Sequence, residues 1–157
     1  MSKETIPDPA ELYSRQIVMK EMGKNGQSLL MSSRVAVVGI GGLGSASSMY
    51  LALAGVGFLR LVDQDTVEAH NLHRQSLFSV DDLRRPKAEA AADRIQRIAP
   101  RVEVEPVAEN LRSSNVKELL GDVDVIVDGL DNMMTRYVVN SASVDIRKPY
   151  VYGAAIA

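Results

Sequence analysis

Apolar residues return along this chain in two rhythms. Short runs that are apolar on both sides occur at Arg34–Val38, Phe58–Val62 and Val123–Val127. Such runs, rich in β-branched side chains, predict strands buried on both faces, as in a parallel sheet. Between them the period lengthens. Ala46, Met49, Tyr50 and Leu53 stand at i, i+3, i+4 and i+7, the stripe of an amphipathic helix, and Gly55 and Gly57 end it. Pro86 suits a first helical turn, and Ala88, Ala91, Ala92, Ile95 and Ala99 give the next helix its apolar stripe before Pro100 stops it. Asp93 and Arg97 are spaced as an i, i+4 ion pair on its wet side.

The remaining segments follow the same logic. Val102–Val107 alternates apolar residues with Glu103 and Glu105, which predicts a strand with an exposed face or edge. Asn115–Leu120 reads as a short helix, Met133–Ile146 as a longer one, and Pro149 to Ala155 as a fifth strand. Residues 64–85 are polar and aperiodic, and a loop of that length inside a domain is functional or mobile. At the amino end, residues 1–9 read as a flexible arm, with Pro7 and Pro9 as helix breakers. A helix then runs from Ala10, carrying Leu12, Ile17 and Met22, to Gly23. Lys24-Asn25-Gly26 reads as a turn and Gln27–Met31 as a second short helix.

Strands and helices therefore alternate. With right-handed crossovers this is an α/β fold: a Rossmann-like, mostly parallel sheet with helices on both faces, formed by residues 10–157 as one domain. The final residues, 151–157, are apolar to the last position. They read as a core strand cut short, so the domain is expected to be a truncated portion of a longer protein.

Composition narrows the chemistry. At 46% apolar and 24% charged residues, the chain is that of an ordinary globular protein. Its net charge of −2 comes without a basic block, and aromatic residues are few, which argues against nucleic acid as a partner. The absence of cysteine excludes a disulfide, a thiolate zinc site and a cysteine nucleophile within these residues. No segment has a membrane span's length or a signal peptide's apolar core, so a cytoplasmic location is expected and a membrane partner is not.

The glycine run after the first strand is the first chemical signal. Gly39, Gly41 and Gly44 match G-x-G-x-x-G between a strand and a helix, and Gly42 is an additional glycine. Without Cβ atoms the chain can turn sharply and bring N–H groups and a helix N-terminus to a phosphate, although the same run also serves a tight turn without ligand. Asp63 closes the second strand about 20 residues later, where a carboxylate can accept hydrogen bonds from ribose hydroxyls. These two features do not separate NAD from ATP. The long loop adds Asp65, Asn71, Arg74 and Gln75, and Lys87 follows it, all beyond the ligand-facing end of that strand. Two cations near phosphates suit departure of pyrophosphate better than hydride transfer, though each alone also reads as a solvated surface residue. Asp131, just past the fourth strand, could hold a magnesium ion; it or Asn132 could equally cap the next helix. His70 and His73 read as solvated loop residues, and Met133-Met134 as packing residues.

Together these pieces resemble a known family. Tyr13-Ser14-Arg15-Gln16-Ile17, Gly39 to Gly44, Leu61-Val62-Asp63-Gln64-Asp65, Asn71-Leu72-His73-Arg74-Gln75, Pro86-Lys87, and Gly129-Leu130-Asp131-Asn132 with Thr135-Arg136 fall in the order found in ubiquitin-activating-enzyme-like adenylyltransferases of the MoeB, ThiF and HesA type. Leu130 stands where threonine is common there, which leaves the neighbouring acid intact. The resemblance implies an ATP-dependent adenylyltransferase that activates the C-terminal carboxylate of a small ubiquitin-like (β-grasp) sulfur-carrier protein as an acyl-adenylate and releases pyrophosphate. It implies that Asp63 holds the ribose, that the glycine loop accommodates the nucleotide with Asp65 beside it, and that Arg74 and Lys87 grip phosphates. Asn71 and Gln75 lie near them, and Asp131 binds Mg2+. Arg15 would reach a phosphate in a neighbouring subunit, which implies a homodimer. Zinc would enter only with cysteine pairs beyond residue 157. The thiamine and molybdopterin pathways use such carriers. These residues alone are expected to bind ATP weakly, if at all, and not to activate a carrier unaided. The alternatives are an NAD-binding oxidoreductase domain and a catalytically silent nucleotide-binding or dimerisation module.

Overall fold

A computed structural model describes residues 6–154. Asp8 accepts a hydrogen bond from the Ala10 N–H at 2.8 Å and caps α1 (Pro9–Leu12), with Pro9 in its first position. Pro9 therefore starts a helix instead of preventing one, because its missing N–H is not needed there. The described part of the amino-terminal arm is held down: Arg101 Nε donates to the Pro7 carbonyl at 3.0 Å. Residues 1–5 lie outside the described residues. The predicted helix over 10–23 is two single turns, α1 and α2 (Ser14–Ile17), meeting at Tyr13. The predicted turn at 24–26 lies inside α3 (Gly23–Ser32).

Five strands follow: β1 (Arg34–Val38), β2 (Phe58–Val62), β3 (Glu103–Val107), β4 (Val125–Asp128) and β5 (Tyr150–Val151). They form one sheet in the order β3-β2-β1-β4-β5, every pairing parallel. Strands β1 and β2 occupy the predicted ranges, and β3 is indeed an edge, where Pro106 forfeits no ladder bond inside the sheet. The fifth strand is shorter than predicted, with only Tyr150 and Val151 in register with Ile126 and Val127. Residues 155–157 lie outside the described residues.

Two apolar layers sandwich the sheet. On one face α4 (Gly42–Ala54) and α5 (Lys87–Ile98) cover Val35, Val37, Leu59 and Leu61. On the other, α6 (Val116–Leu120) and α7 (Met133–Asp145) cover Ala36, Val38, Phe58, Val62 and Ile126. Each fully buried leucine or isoleucine contributes roughly 1.5–3 kcal/mol. The α5 stripe is as predicted, with Ala88, Ala91, Ala92 and Ile95 buried. The α4 stripe is met only in part: Met49 packs against the core, but Gly44, Ser45, Ser48 and Ala52 take the buried positions, while Tyr50 and Leu53 are exposed. The cause is distance. A Cβ on Gly44 would lie 1.8 Å from the Gly39 carbonyl oxygen, so the first turn of this helix sits too close for a side chain, and larger residues (Met49, Leu51) pack inward only further along. Asp93 pairs with Arg85, not with Arg97.

The long segment 64–85 is anchored. Thr66 bridges Pro86, the Val67 N–H donates to Arg85 O at 2.9 Å, and the Arg84 N–H donates back to Val67 O at 2.9 Å. Val67, Leu77 and Phe78 bury beneath it. Its neck is closed and its body is packed, so it presents fixed side chains.

Candidate active site

Strand order reverses between β1 and β4, since β1 sends its helix to one side of the sheet and β4 to the other. In open α/β sheets ligands bind beyond the carboxyl ends of strands at such a point. A cleft of about 700 Å³ opens there.

Its floor is the glycine loop. Gly39 has a φ of +82° and donates its N–H to Val62 O at 2.8 Å. Three glycines interlock beneath it. A Cβ on Gly44 would strike Gly39 O, and one on Gly129 would lie 2.4 Å from the same oxygen. Gly39, Gly41 and Gly42 line the cleft, but Gly44 does not: its role is to let α4 approach β1. The N-terminus of α4 opens onto the cleft at Gly42, where its first N–H groups lack helical partners.

Asp63 stands at the end of β2. Its Oδ2 accepts from the Ile40 N–H at 2.7 Å and its Oδ1 from the Asp65 N–H at 2.8 Å. Burial pushes its pKa up against the pull of those two bonds. Each oxygen keeps a lone pair for a further donor, which suits a diol. Lys87 is the first residue of α5 and is 6% exposed. Its Nζ lies 3.0 Å from Asp65 Oδ2, and its N–H donates to Asp65 O at 2.9 Å. Asp65 thus orients the cation that lines the cleft. It also offsets the cost of burying that cation.

The anchored loop supplies the next wall. Asn71 Oδ1 accepts from the Glu68 N–H at 2.9 Å, closing the turn Ala69–Asn71. Arg74 Nη1 donates to His70 O at 2.7 Å, leaving the rest of its guanidinium toward the exposed cleft. Gln75 is 3% exposed, and its Oε1 has no hydrogen-bond partner among the described residues. A buried acceptor in that state costs about 1–3 kcal/mol, a cost that a ligand's donor would remove. His70 lies on the same wall with Nδ1 3.2 Å from a Glu68 carboxylate oxygen.

Opposite stands the turn after β4. Asn132 caps α7 by accepting from the Thr135 N–H at 2.9 Å. Asp131 therefore is not the cap. Its carboxylate makes no hydrogen bond or ion pair among the described residues, and it lines the cleft. No three His, Cys, Asp or Glu side chains gather among the described residues. A hard cation here would be held by Asp131 together with ligand oxygens and water, as magnesium is when it binds with phosphates. Met133 and Met134 do not pack inward: they are 52% and 77% exposed, and Met133 lines the cleft.

Arg15 lies elsewhere. It is exposed on α2 and is not part of the cleft wall. The structure otherwise gathers Asp63, Asp65, Asn71, Arg74, Gln75, Lys87 and Asp131 around one space. The sequence assigned no role to a group at the rim: buried Asp128 and Arg136, half-buried Tyr150 and exposed Tyr152. Arg136 Nε donates to Asp128 Oδ2 at 2.8 Å, the Tyr150 hydroxyl donates to the same oxygen, and the guanidinium lies 4.6 Å from the centre of the Tyr152 ring. Burial and the neighbouring Asp128 push the Tyr150 hydroxyl's pKa upward. The available signal was an acid closing an apolar strand, with an arginine eight residues later.

Known proteins share this arrangement of elements. The chain is 49% identical over 142 residues to a SAMP-activating enzyme E1 of Haloferax volcanii, covering 90% of this chain and 53% of that protein. It is 45% identical to a sulfur carrier protein adenylyltransferase of Thermus thermophilus, covering 90% and 52% respectively. The chain thus spans about half the length of these relatives. Among solved structures, tRNA N6-threonylcarbamoyladenosine dehydratase of Escherichia coli in complex with ATP superposes with a TM-score of 0.85 at 26% identity, over 93% of this chain and 60% of that one. Residues 13–157 match the ThiF family, and the chain belongs to it.

Proposed function

We propose that this chain provides the ATP-binding part of an adenylyltransferase that activates the C-terminal carboxylate of a small ubiquitin-like sulfur-carrier protein. One observation carries the reading. Two cations, a carboxylate poised for a diol, an unpaired carboxylate and an orphaned buried amide oxygen converge over one glycine loop. A dinucleotide site for hydride transfer has no use for the unpaired Asp131 opposite Arg74 and Lys87. The names of the two sequence relatives, a SAMP-activating enzyme and a sulfur carrier protein adenylyltransferase, support the carboxylate acceptor.

In this reading Asp63 accepts the ribose hydroxyls, and the N-terminus of α4 with Gly41 and Gly42 faces the phosphates. The carrier's carboxylate oxygen attacks the α-phosphorus, the bond to the bridging oxygen breaks, and pyrophosphate leaves with that electron pair. Arg74 and Lys87 stabilise the negative charge gathering on the departing group. No protein nucleophile is required, so the lack of cysteine in these residues is no obstacle to this step. Asp131 would hold the magnesium ion, which supplies further charge neutralisation at the phosphate oxygens when bound. Arg15, exposed and outside its own chain's cleft lining, suits a role toward the site of a second copy in a homodimer.

The test compares ligands. Thermal unfolding of the chain is followed with ATP and magnesium, and separately with NADH. The expected result is a larger rise in Tm with ATP and magnesium. A larger rise with NADH overturns the proposal in favour of an oxidoreductase domain.

A further inference from the structure

Arg136 lines the cleft, but its donors are spent on the protein. Nε binds Asp128 Oδ2, Nη2 binds the carbonyls of Leu130 and Gly153, the latter at 3.2 Å, and Nη1 reaches Tyr152 Oη at 3.5 Å and Met133 Sδ at 3.8 Å. It is 9% exposed, and its partner Asp128 is 3% exposed. A guanidinium so occupied is not available to grip a phosphate.

The turn beneath it is fixed almost atom by atom. The Gly129 N–H donates to Val38 O at 2.8 Å. The Leu130 N–H donates to Asp128 Oδ1 at 2.7 Å, while the Leu130 carbonyl accepts from Arg136. Asn132 is engaged as the α7 cap. Asp131 is the one residue of the turn with no such bond among the described residues. The arginine fork spans Asp128 and Leu130 O from one plane, which a lysine ammonium cannot do. Tyr150 donates to the same Asp128 Oδ2 that Arg136 binds, while Oδ1 is held by the Leu130 N–H.

We propose that Arg136, oriented by Asp128 and Tyr150, is a positioning residue that fixes the Gly129–Asn132 turn so that the Asp131 carboxylate meets the divalent cation of a bound nucleotide polyphosphate. This rests on the function proposed above. The network adds no group to the ligand: it holds the residue that would. Changing it should therefore weaken the response to metal while leaving metal-free nucleotide binding alone.

ATP binding is measured by calorimetry in EDTA and across a magnesium series, for the native chain and for Arg136→Lys, Tyr150→Phe and Asp131→Asn. In the native chain magnesium should tighten ATP binding, and Asp131→Asn should abolish that gain. Arg136→Lys should raise the magnesium concentration needed for half of the gain about tenfold, with affinity in EDTA within about twofold of native. Tyr150→Phe, which keeps the ring and removes one donor, should shift it about two- to threefold. It decides the matter if Arg136→Lys does not fold. An equal loss of ATP affinity with and without magnesium would make Arg136 a phosphate ligand and overturn the inference. So would an unchanged magnesium response in both variants. A native chain that binds no ATP under either condition overturns the proposed function itself, an outcome distinct from a native chain that responds to magnesium while its variants match it.

Discussion

The two ends of the sheet treat charge in opposite ways. Near the amino ends of the strands, every charge in the cluster has a partner. Arg60, buried in mid-β2, pairs with Glu105 at 2.8 Å and with Asp122, and donates to Leu119 O at 2.7 Å. Arg34 also pairs with Asp122, at 2.9 Å, and stacks 3.6 Å from the Phe58 ring centre. At the carboxyl ends, Asp131 stands unpaired among the described residues, Gln75 Oε1 is buried without a partner, and most of the Arg74 guanidinium faces open space. Unpaired polar groups that line a cleft can be completed by an arriving ligand, unlike Gln27 Oε1, which is equally unpartnered among the described residues but lies on α3 away from the cleft. The paired end therefore carries stability, and the unpaired end is the one proposed to bind.

The sharpest way to break that division is through the cleft floor, where packing and binding coincide. Gly44→Val should cost about 3–5 kcal/mol, because the new side chain meets backbone instead of a movable side chain. Urea unfolding would show it as a lower midpoint. A midpoint within experimental error of native would mean that α4 can lift from Gly39 freely.

Arg60→Leu tests the other end. It strands Leu119 O, frees Glu105 and leaves Asp122 with Arg34 alone, but both acids are about half exposed and recover water. The expected loss is therefore about 2–3 kcal/mol, below the usual penalty for a fully buried pair. The rise in Tm on adding ATP with magnesium should match that of the native chain. A reduced ligand shift would show that the two ends are not separable.

Neither end was equally legible beforehand. Strands β1 and β2 announce themselves because burial on both faces leaves nothing but apolar residues, and Asp63 and Lys87 are found because strand and helix ends place them. The α4 face was misread in part because the pattern assumes that large residues point inward, whereas the close approach of Gly44 to Gly39 admits only small ones over the first turns. Arg60 and Arg136 could not be ranked from the chain. Arg136 stands only eight residues from Asp128, a weak local signal, whereas Arg60 is one charge among many until the sheet order brings Asp122 beside it. Pairing of that kind is a property of topology, and local sequence does not encode it.

Gln75→Met sharpens the contrast with a smaller effect and an opposite sign. The substitution removes a buried acceptor that has no partner and keeps most of the volume. The unliganded chain should gain about 1 kcal/mol of stability while its affinity for ATP falls. Loss of stability would mean that the amide is already satisfied in solution, and unchanged ATP affinity would remove Gln75 from the binding site.

The smallest effect is in acid, and its sign differs between the ends. Hydrogen bonding from Arg60 first, with Arg34 helping, lowers the Asp122 pKa from 3.8 to about 2. A carboxylate lowered on folding contributes stability above its ordinary value, and that contribution disappears as pH falls from near 4 through about 2. Asp122 is 52% exposed, so screening keeps its share below about 1 kcal/mol. Asp63 runs the other way. Burial raises its pKa, so the folded state favours the protonated form, and its contribution grows toward low pH and is lost as pH rises through the raised value. Urea midpoints from pH 5 down to about pH 2.5 should therefore fall less steeply for Arg60→Leu than for the native chain, because the variant has already lost the contact that lowers Asp122. Parallel slopes would mean that Arg34 alone holds Asp122 ionised, and the paired end would then owe its acid response to the rim of the sheet instead of to the buried arginine.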